Sequence, residues 1–330
     1  MTAAVSSELI WNSKYAYRCT APERKVTMDY KAFCDYVCEN IENYLTEYSF
    51  TREPMIKEVN KNNGVKLAGL LISTDIDKDI CPNIYLDYYY QRYEDGAGMD
   101  QVLKEIADEY RSVSEQIKSM RTVIDDDSWN RDISRVIPKL VNYERNKEVL
   151  SDAPYIRLLD LAVSFRTVVN FDGTGLSSTL LTNDRFRDFG MGIDELFNKA
   201  MENYNVMFPP KIRNMAEMMF GEMGMDDDFG LMPKYYVVTN EKCINGATTL
   251  LDIATLDRLS REIYDEGDYY ILPSSINESI TIGCGSGVDV DGLVALVREV
   301  NREVLRDTDF LSDSVYRYDS DSMSIVLCNP

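Results

Sequence analysis

The chain has no histidine among its 330 residues. Histidine is the usual general base of nucleophilic triads and a common ligand of zinc and non-haem iron. Its absence excludes the Ser-His-Asp and Cys-His nucleophile systems, histidine general bases and the histidine-containing metal sites. Any chemistry must rest on carboxylates, lysine, tyrosine, cysteine or a bound cofactor.

Paired cysteines are also missing. The seven cysteines are an odd number, and no C-x-x-C motif occurs, so the pattern does not indicate a disulfide framework or a thiolate metal site. Cys34 and Cys38 lie one helical turn apart, but together with Ile41 and Leu45 they continue one apolar helix face. We interpret them as core residues, and we expect no metal site and no cofactor.

Long apolar runs are absent as well. No stretch approaches the roughly 20 apolar residues that span a bilayer, and the N-terminus lacks a basic segment followed by an apolar one. We therefore expect no membrane association and a cytoplasmic location.

Positive charge is in the minority, with 35 Lys and Arg against 56 Asp and Glu, which gives a net charge of −21. This charge repels the phosphate backbone, so direct nucleic-acid binding is not expected. A protein partner with a basic surface suits such a chain. The alternative is that the acidic surface only keeps the protein soluble.

Hydrophobic residues make up 45% of the sequence, enough for a large folded core. Hairpins alternate irregularly with amphipathic helices, which predicts an α+β fold with antiparallel or mixed sheets. The length favours more than one domain. We expect an N-terminal tail over 1–26, an N-terminal α+β lobe over 27–127 and a C-terminal α+β lobe over 128–330.

Two hairpins and one helix have clear signals. Residues 55–60 and 65–73 alternate as strands around Asn62-Asn63-Gly64, which is a turn sequence. Residues 315–318 and 323–327 predict a second hairpin at the C-terminal end. Apolar residues at helical spacing from Met99 to Ile117 predict a long helix between them.

Residues 155–169 form a long apolar and β-branched run, which predicts one central strand of the C-terminal lobe. Asp160 falls inside this run and is expected to be a buried carboxylate, which needs a partner or a raised pKa. Arg166 is too distant along a regular strand, so we expect an ion pair with Arg145 or Arg157, or a structural backbone clamp, in preference to a catalytic acid.

A tyrosine-rich segment is the candidate binding surface. On a helix, Tyr85, Tyr89 and Tyr93 share one face. Such a patch stacks a ligand ring or anchors a protein interface. Packing against a neighbouring helix is the preferred interpretation.

Four segments carry a family resemblance: NYERNKEVLSDAPYIRLLDLAVSF, MDYKAFCDYVCENI, NIYLDYYYQRYEDG, and KYYVVTNEKCINGATTLL followed by DYYILPSSINESITI. They resemble a bacterial family catalogued as domain of unknown function 5688, and together they cover most of the chain from about Thr27 onward. The resemblance implies no particular activity. It implies a bacterial protein, with some relatives in mobile elements.

Two functional hypotheses follow. The first is a non-enzymatic protein-binding accessory or regulatory factor, in its sharper form a DNA mimic or anti-defence factor of a mobile element. It rests on the lack of a complete catalytic constellation, on the acidic charge and on the tyrosine patch. The second is a carboxylate-based, metal-dependent hydrolase that uses Asp160 with Asn142, Arg145 or Asn146.

Overall fold

The computed structural model describes residues 28–75, 82–124, 128–171, 175–220, 235–273, 275–287 and 289–328. The expected tail over 1–26 and the lobe boundary at 127 lie outside the described residues. The helices are α1 (Tyr30–Asn40), α2 (Asp87–Glu94), α3 (Met99–Ile124), α4 (Tyr143–Leu150), α5 (Asn183–Asp188), α6 (Ile193–Met207), α7 (Met215–Phe220), α8 (Ile253–Ile263) and α9 (Val290–Glu303). The strands are β1 (Met55–Asn60), β2 (Lys66–Leu71), β3 (Asn83–Tyr85), β4 (Val136–Asn142), β5 (Tyr155–Leu158), β6 (Leu161–Phe171), β7 (Leu176–Leu180), β8 (Pro210–Asn214), β9 (Tyr235–Asn240), β10 (Tyr269–Leu272), β11 (Ser279–Gly283), β12 (Tyr316–Asp319) and β13 (Ser324–Leu327).

The predicted α+β class is confirmed. The strands form three sheets with the orders β1-β2-β3, β4-β6-β5 with β7 also on β6, and β13-β12-β10-β11-β9-β8. Every pairing among the described strands is antiparallel. Antiparallel strands can be joined by short turns, which is why hairpin signals in the sequence were informative.

The N-terminal sheet has its own apolar core. The first predicted hairpin is confirmed as β1 and β2, with Asn63 and Gly64 at φ 63° and 68°. Asparagine and glycine tolerate this left-handed region, which other residues adopt at a cost. The sheet packs on α1, α2 and α3 through side chains such as Phe33, Leu70 and Ile106, all buried.

The two C-terminal sheets share the largest core. Leu140 and Phe165 of the four-stranded sheet pack in one cluster with Tyr269 and Tyr316 of the six-stranded sheet, and α6 and α8 contribute to it. The second predicted hairpin is confirmed as β12 and β13. The outer helix α9 packs through Leu293, together with Ile282 and Leu272, in a separate cluster.

The single central strand predicted over 155–169 is wrong. The chain reverses at Leu159 and Asp160, so β5 and β6 form a tight hairpin in which Leu158 lies opposite Leu161. Leu159 takes a φ of 56°, which costs a non-glycine residue about 1–2 kcal/mol. Its side chain packs on the main core, and burial of a leucine offsets a cost of this size. The sequence carries no glycine or asparagine here to signal the turn.

Within the described segments, no helix combines the length and the apolar character that crossing a membrane requires.

Candidate functional site

Three polar residues, Lys139, Ser164 and Arg166, lie at the centre of one face of the four-stranded sheet and form what we call the inner polar patch. Strand alternation gives β4 and β6 one face, with Leu140 and Phe165, that packs in the main core. On the opposite face, Ile137 and Val168 belong to one small apolar cluster and Val141 and Ala162 to another. The positions between these clusters are occupied by Lys139, Ser164 and Arg166.

Cross-strand register brings the two cations of this patch together. Lys139 lies opposite Ser164, and Arg166 lies opposite Ile137. Lys139 and Arg166 are therefore diagonal neighbours on one face, a separation that long side chains bridge easily. Like charges at this spacing destabilise a sheet unless something compensates them.

A cavity of about 750 Å³ lies over the patch. Its walls include Val59–Asn62 from the first hairpin, β7, Asn245, and the segment with Asp309. The charged residues among the described lining are Lys61, Lys139, Arg166 and Asp309. Three cations thus face one carboxylate, in a chain whose net charge is −21.

Burial lowers the pKa of the Lys139 amine to about 8, and the nearby Arg166 and Lys61 add to this effect. The carboxylate of Asp309 acts in the opposite direction. No hydrogen bond or ion pair joins the Lys139 amine to another described residue. A partly buried cation without a partner is unfavourable, which is the physical reason for the lowered pKa.

Arg166 is held in place by a neighbouring strand. Its Nε donates to Ser178 Oγ at 2.8 Å, and its terminal Nη2 donates to the Ser178 carbonyl at 2.7 Å. Burial lowers the pKa of this guanidinium, but arginine remains charged in proteins. No ion pair from Arg166 to a described carboxylate is formed. The remaining donors of a guanidinium suit a carboxylate or phosphate ligand.

The predicted tyrosine face is only partly realised. Tyr85 ends β3, so of these three tyrosines only Tyr89 and Tyr93 lie on the helix α2. Tyr89 is buried and its hydroxyl donates to Glu109, while the Tyr93 hydroxyl accepts from the Met28 amide. The Lys61 ammonium lies 3.8 Å from the centre of the Tyr85 ring. Tyr85 thus positions a cation of the cavity through a cation–π contact.

Of the residues grouped with Asp160, one lines the cavity. Asn146 is part of its wall. Asn142 instead caps α4 by accepting from the Arg145 amide at 2.9 Å, and its side-chain amide donates to the Leu311 carbonyl. The Arg145 guanidinium stacks 3.6 Å from the ring centre of Phe310 and pairs with Asp307.

Asp160 lies in the β5–β6 turn, half-buried and away from the cavity. Its carboxylate accepts hydrogen bonds from Ser312 at 2.5 Å, Ser314 at 3.3 Å and Tyr316 at 2.6 Å. The expected ion pair with Arg145 or Arg157 is wrong: Arg145 pairs with Asp307, and Arg157 donates to the Leu159 carbonyl. Asp160 lies in a turn and is only half-buried. Its carboxylate is therefore satisfied by hydrogen bonds from three hydroxyl groups and needs no ion pair.

No group of three or more Cys, Asp or Glu side chains in the described parts of the chain is arranged to hold a metal ion. Cys34 is buried in the N-terminal core, and Cys38 packs against it.

The fold and the cavity define an antiparallel α+β protein with a cation-lined cavity between its first hairpin and a central four-stranded sheet. The chain belongs to the Family of unknown function (DUF5688), whose family model matches residues 30–320. Neither the curated proteins nor the solved structures with which the chain was compared include a match.

Reasoning from the sequence missed Lys139 and Arg166 as site residues. The available signal was a lysine inside the apolar run V-I-P-K-L-V and an arginine inside A-V-S-F-R-T-V-V. Charged residues within such runs are rarely buried without a partner or a function. Only the register of β4 on β6 shows that the two cations share a face.

Proposed function

We propose that this protein binds a small anionic ligand in the cation-lined cavity. The carrying observation is that Lys139 and Arg166 face the same cavity of about 750 Å³ and form no ion pair with a described carboxylate. The volume of the cavity is in the range of small-molecule sites, about 300–1,000 Å³. A bound anion supplies the missing counter-charge.

The geometry favours a ligand with a carboxylate or phosphate group. Ser178 fixes the Arg166 guanidinium through Nε and one Nη2 contact, which leaves donors for a carboxylate or phosphate. Lys139 adds a second cation, and Lys61 lies at the edge of the same cavity. Ser164 is already engaged, because its hydroxyl donates to the Lys139 carbonyl at 3.0 Å.

The test is isothermal titration calorimetry with inorganic phosphate, citrate, malate and a nucleoside monophosphate. We expect at least one anion to bind the wild type. Lys139→Met and Arg166→Met should each weaken binding about 10- to 100-fold, the range for one charge-assisted hydrogen bond.

Matched controls are available on the surface. Lys147 is exposed and pairs with Glu144, and Arg302 is exposed and pairs with Glu303. Lys147→Met and Arg302→Met should leave the affinity unchanged. If none of the anions binds the wild type, or if the surface variants weaken binding as much as the cavity variants, the proposal is wrong.

The net charge of −21 supports a second candidate, binding of a protein partner with a basic surface. In this role the protein is an accessory or regulatory factor, and it acts as a DNA mimic if its partner also binds DNA. A tagged protein should capture a Lys- and Arg-rich partner at low salt, lose it at high salt and lose it to added duplex DNA. Capture that resists both treatments contradicts mimicry.

A further inference from the structure

The amine of Lys139 lines the cavity and has no hydrogen-bond or ion-pair partner among the described residues. It lies in the middle of β4, on a rigid strand that pairs with β6 along its full length. Its neighbour Ser164 donates to backbone, and Arg166 is fixed by Ser178. Neither residue offers the amine a hydrogen-bond acceptor that holds it as a fixed ammonium.

The neutral form of this amine is accessible near neutral pH. Burial among cations lowers the pKa of Lys139 to about 8, so roughly a tenth of the amine is uncharged at pH 7. A lysine beside another cation in a desolvated cavity is the arrangement that makes this side chain a nucleophile. An ordinary surface lysine has far less of the neutral form.

We propose that Lys139 forms a reversible imine with an oxo acid, a ligand that carries a carbonyl next to an anionic group, and that Arg166 holds the anion. This inference rests on the proposed anion binding and adds the ligand class. It assigns separate roles to the two cations, because arginine stays charged and serves as the anchor while lysine reacts.

The chemistry balances without an oxidant or reductant. The neutral Lys139 nitrogen attacks the carbonyl carbon, and proton transfer gives a carbinolamine. The carbinolamine hydroxyl then takes a proton and leaves as water, so that a protonated carbon–nitrogen double bond remains. Addition of water reverses each step. Asp309, which is the one carboxylate among the described lining residues, is the group available to accept and return protons.

Two features of the cavity favour the imine over its hydrolysis. The protonated imine keeps the single positive charge that the lysine ammonium carried, so the anion of the ligand still faces two cations. Val141, Leu176 and Leu180 supply apolar wall beside them. A partly apolar wall limits water near the imine, and slower hydrolysis follows.

The test is reductive trapping on the full chain. The protein is incubated with glyoxylate, pyruvate or 2-oxoglutarate, with and without sodium cyanoborohydride, and the modified lysine is located by peptide mass spectrometry. We expect one reduced adduct, enriched at least tenfold at Lys139 over Lys147, and no adduct with lactate, which lacks the carbonyl. Lys139→Arg should abolish the adduct while it keeps the positive charge.

A second variant separates the two roles. Arg166→Met removes both the anion anchor and a cation that lowers the Lys139 pKa, so it should lower trapping of the oxo acids at least tenfold more than it lowers trapping of propanal, an uncharged aldehyde. Equal labelling of Lys139 and Lys147 overturns the imine. If calorimetry shows anion binding and no adduct forms, the imine inference fails and the proposed function stands; if neither occurs, both fail.

Discussion

Asn63 and Asn146 form a reciprocal pair that joins the first hairpin to α4. The backbone N–H of Asn63 donates to Asn146 Oδ1 at 3.0 Å, and the side-chain amide of Asn146 donates to Asn63 Oδ1 at 2.9 Å. The Asn63 side chain also donates to the carbonyls of Asp307 and Phe310, each at 2.7 Å. These contacts fix the hairpin whose residues Val59–Asn62 form one wall of the cavity.

We therefore predict strong energetic coupling between the two asparagines. Asn63→Gly keeps a residue that tolerates the positive φ and removes the side-chain contacts. In a double-mutant cycle with Asn146→Ala, the coupling free energy should be about 1–3 kcal/mol, because the two residues are in contact within one partly buried hydrogen-bond network. Urea unfolding of the four proteins measures it.

The surface ion pair between Glu58 and Lys66 on the same hairpin is the matched control. Both side chains are more than half exposed, so their coupling should stay below about 1 kcal/mol. Equal coupling in the two cycles contradicts a special role of the asparagine pair.

Removing the Lys139 charge should stabilise the protein. The lowered pKa means that below pH 8 the lysine is protonated in both states and the folded state bears the full burial penalty, about 3 kcal/mol. Lys139→Met should therefore raise the unfolding free energy at pH 7 by about 1–3 kcal/mol.

The same variant has a defined pH dependence. As pH rises from about 8 towards 10.5, the folded lysine loses its proton while the unfolded one keeps it, so wild-type stability recovers relative to the variant. The stability difference between Lys139→Met and wild type should shrink across this window, as followed by denaturant unfolding. Lys147 is exposed, so the stability difference between Lys147→Met and wild type should stay constant over the same pH range.

Anion affinity should fall as pH rises through about 8. The Lys139 ammonium loses its charge in this range, whereas Arg166 does not. Calorimetry at pH 6.5 and pH 9.5 should show several-fold weaker binding at the higher pH, for an anion whose own charge is constant there. In Lys139→Arg this pH dependence should disappear; if it persists, another group is responsible.

Asp160 is predicted to contribute to stability and not to ligand binding. Asp160→Ala removes the acceptor of three hydroxyl groups and should lower the unfolding free energy by about 1.5–3 kcal/mol. Tyr316→Phe should cost less, because it removes one hydrogen bond and leaves Asp160 with the Ser312 and Ser314 hydroxyls as donors. Anion affinity should not change in either variant.

The exposed Asp184, paired with Arg187, supplies the control, and Asp184→Asn should change stability by less than about 1 kcal/mol. The hydrolase hypothesis built on Asp160 stays a prediction. The more conservative variant Asp160→Asn tests it. If the wild type hydrolyses a substrate and the folded variant does not, the hypothesis is supported.

Local patterns in the sequence determined the α+β class, the two hairpins and the long helix α3. These features depend on residues close together in the chain, such as the Asn63-Gly64 turn and the apolar spacing from Met99 onward. Local rules failed at Leu159, whose positive φ is stabilised by its packing on the distant core and has no signal of its own.

Only the tertiary structure decided the site. Lys139 and Arg166 belong to different strands, and the antiparallel register places them as diagonal neighbours on one face. The first hairpin, β7 and the Asp309 segment then enclose them in the cavity. The sequence alone shows two charged residues in apolar runs, but their proximity, their partial burial and the lowered pKa of Lys139 arise when segments far apart in the chain pack together.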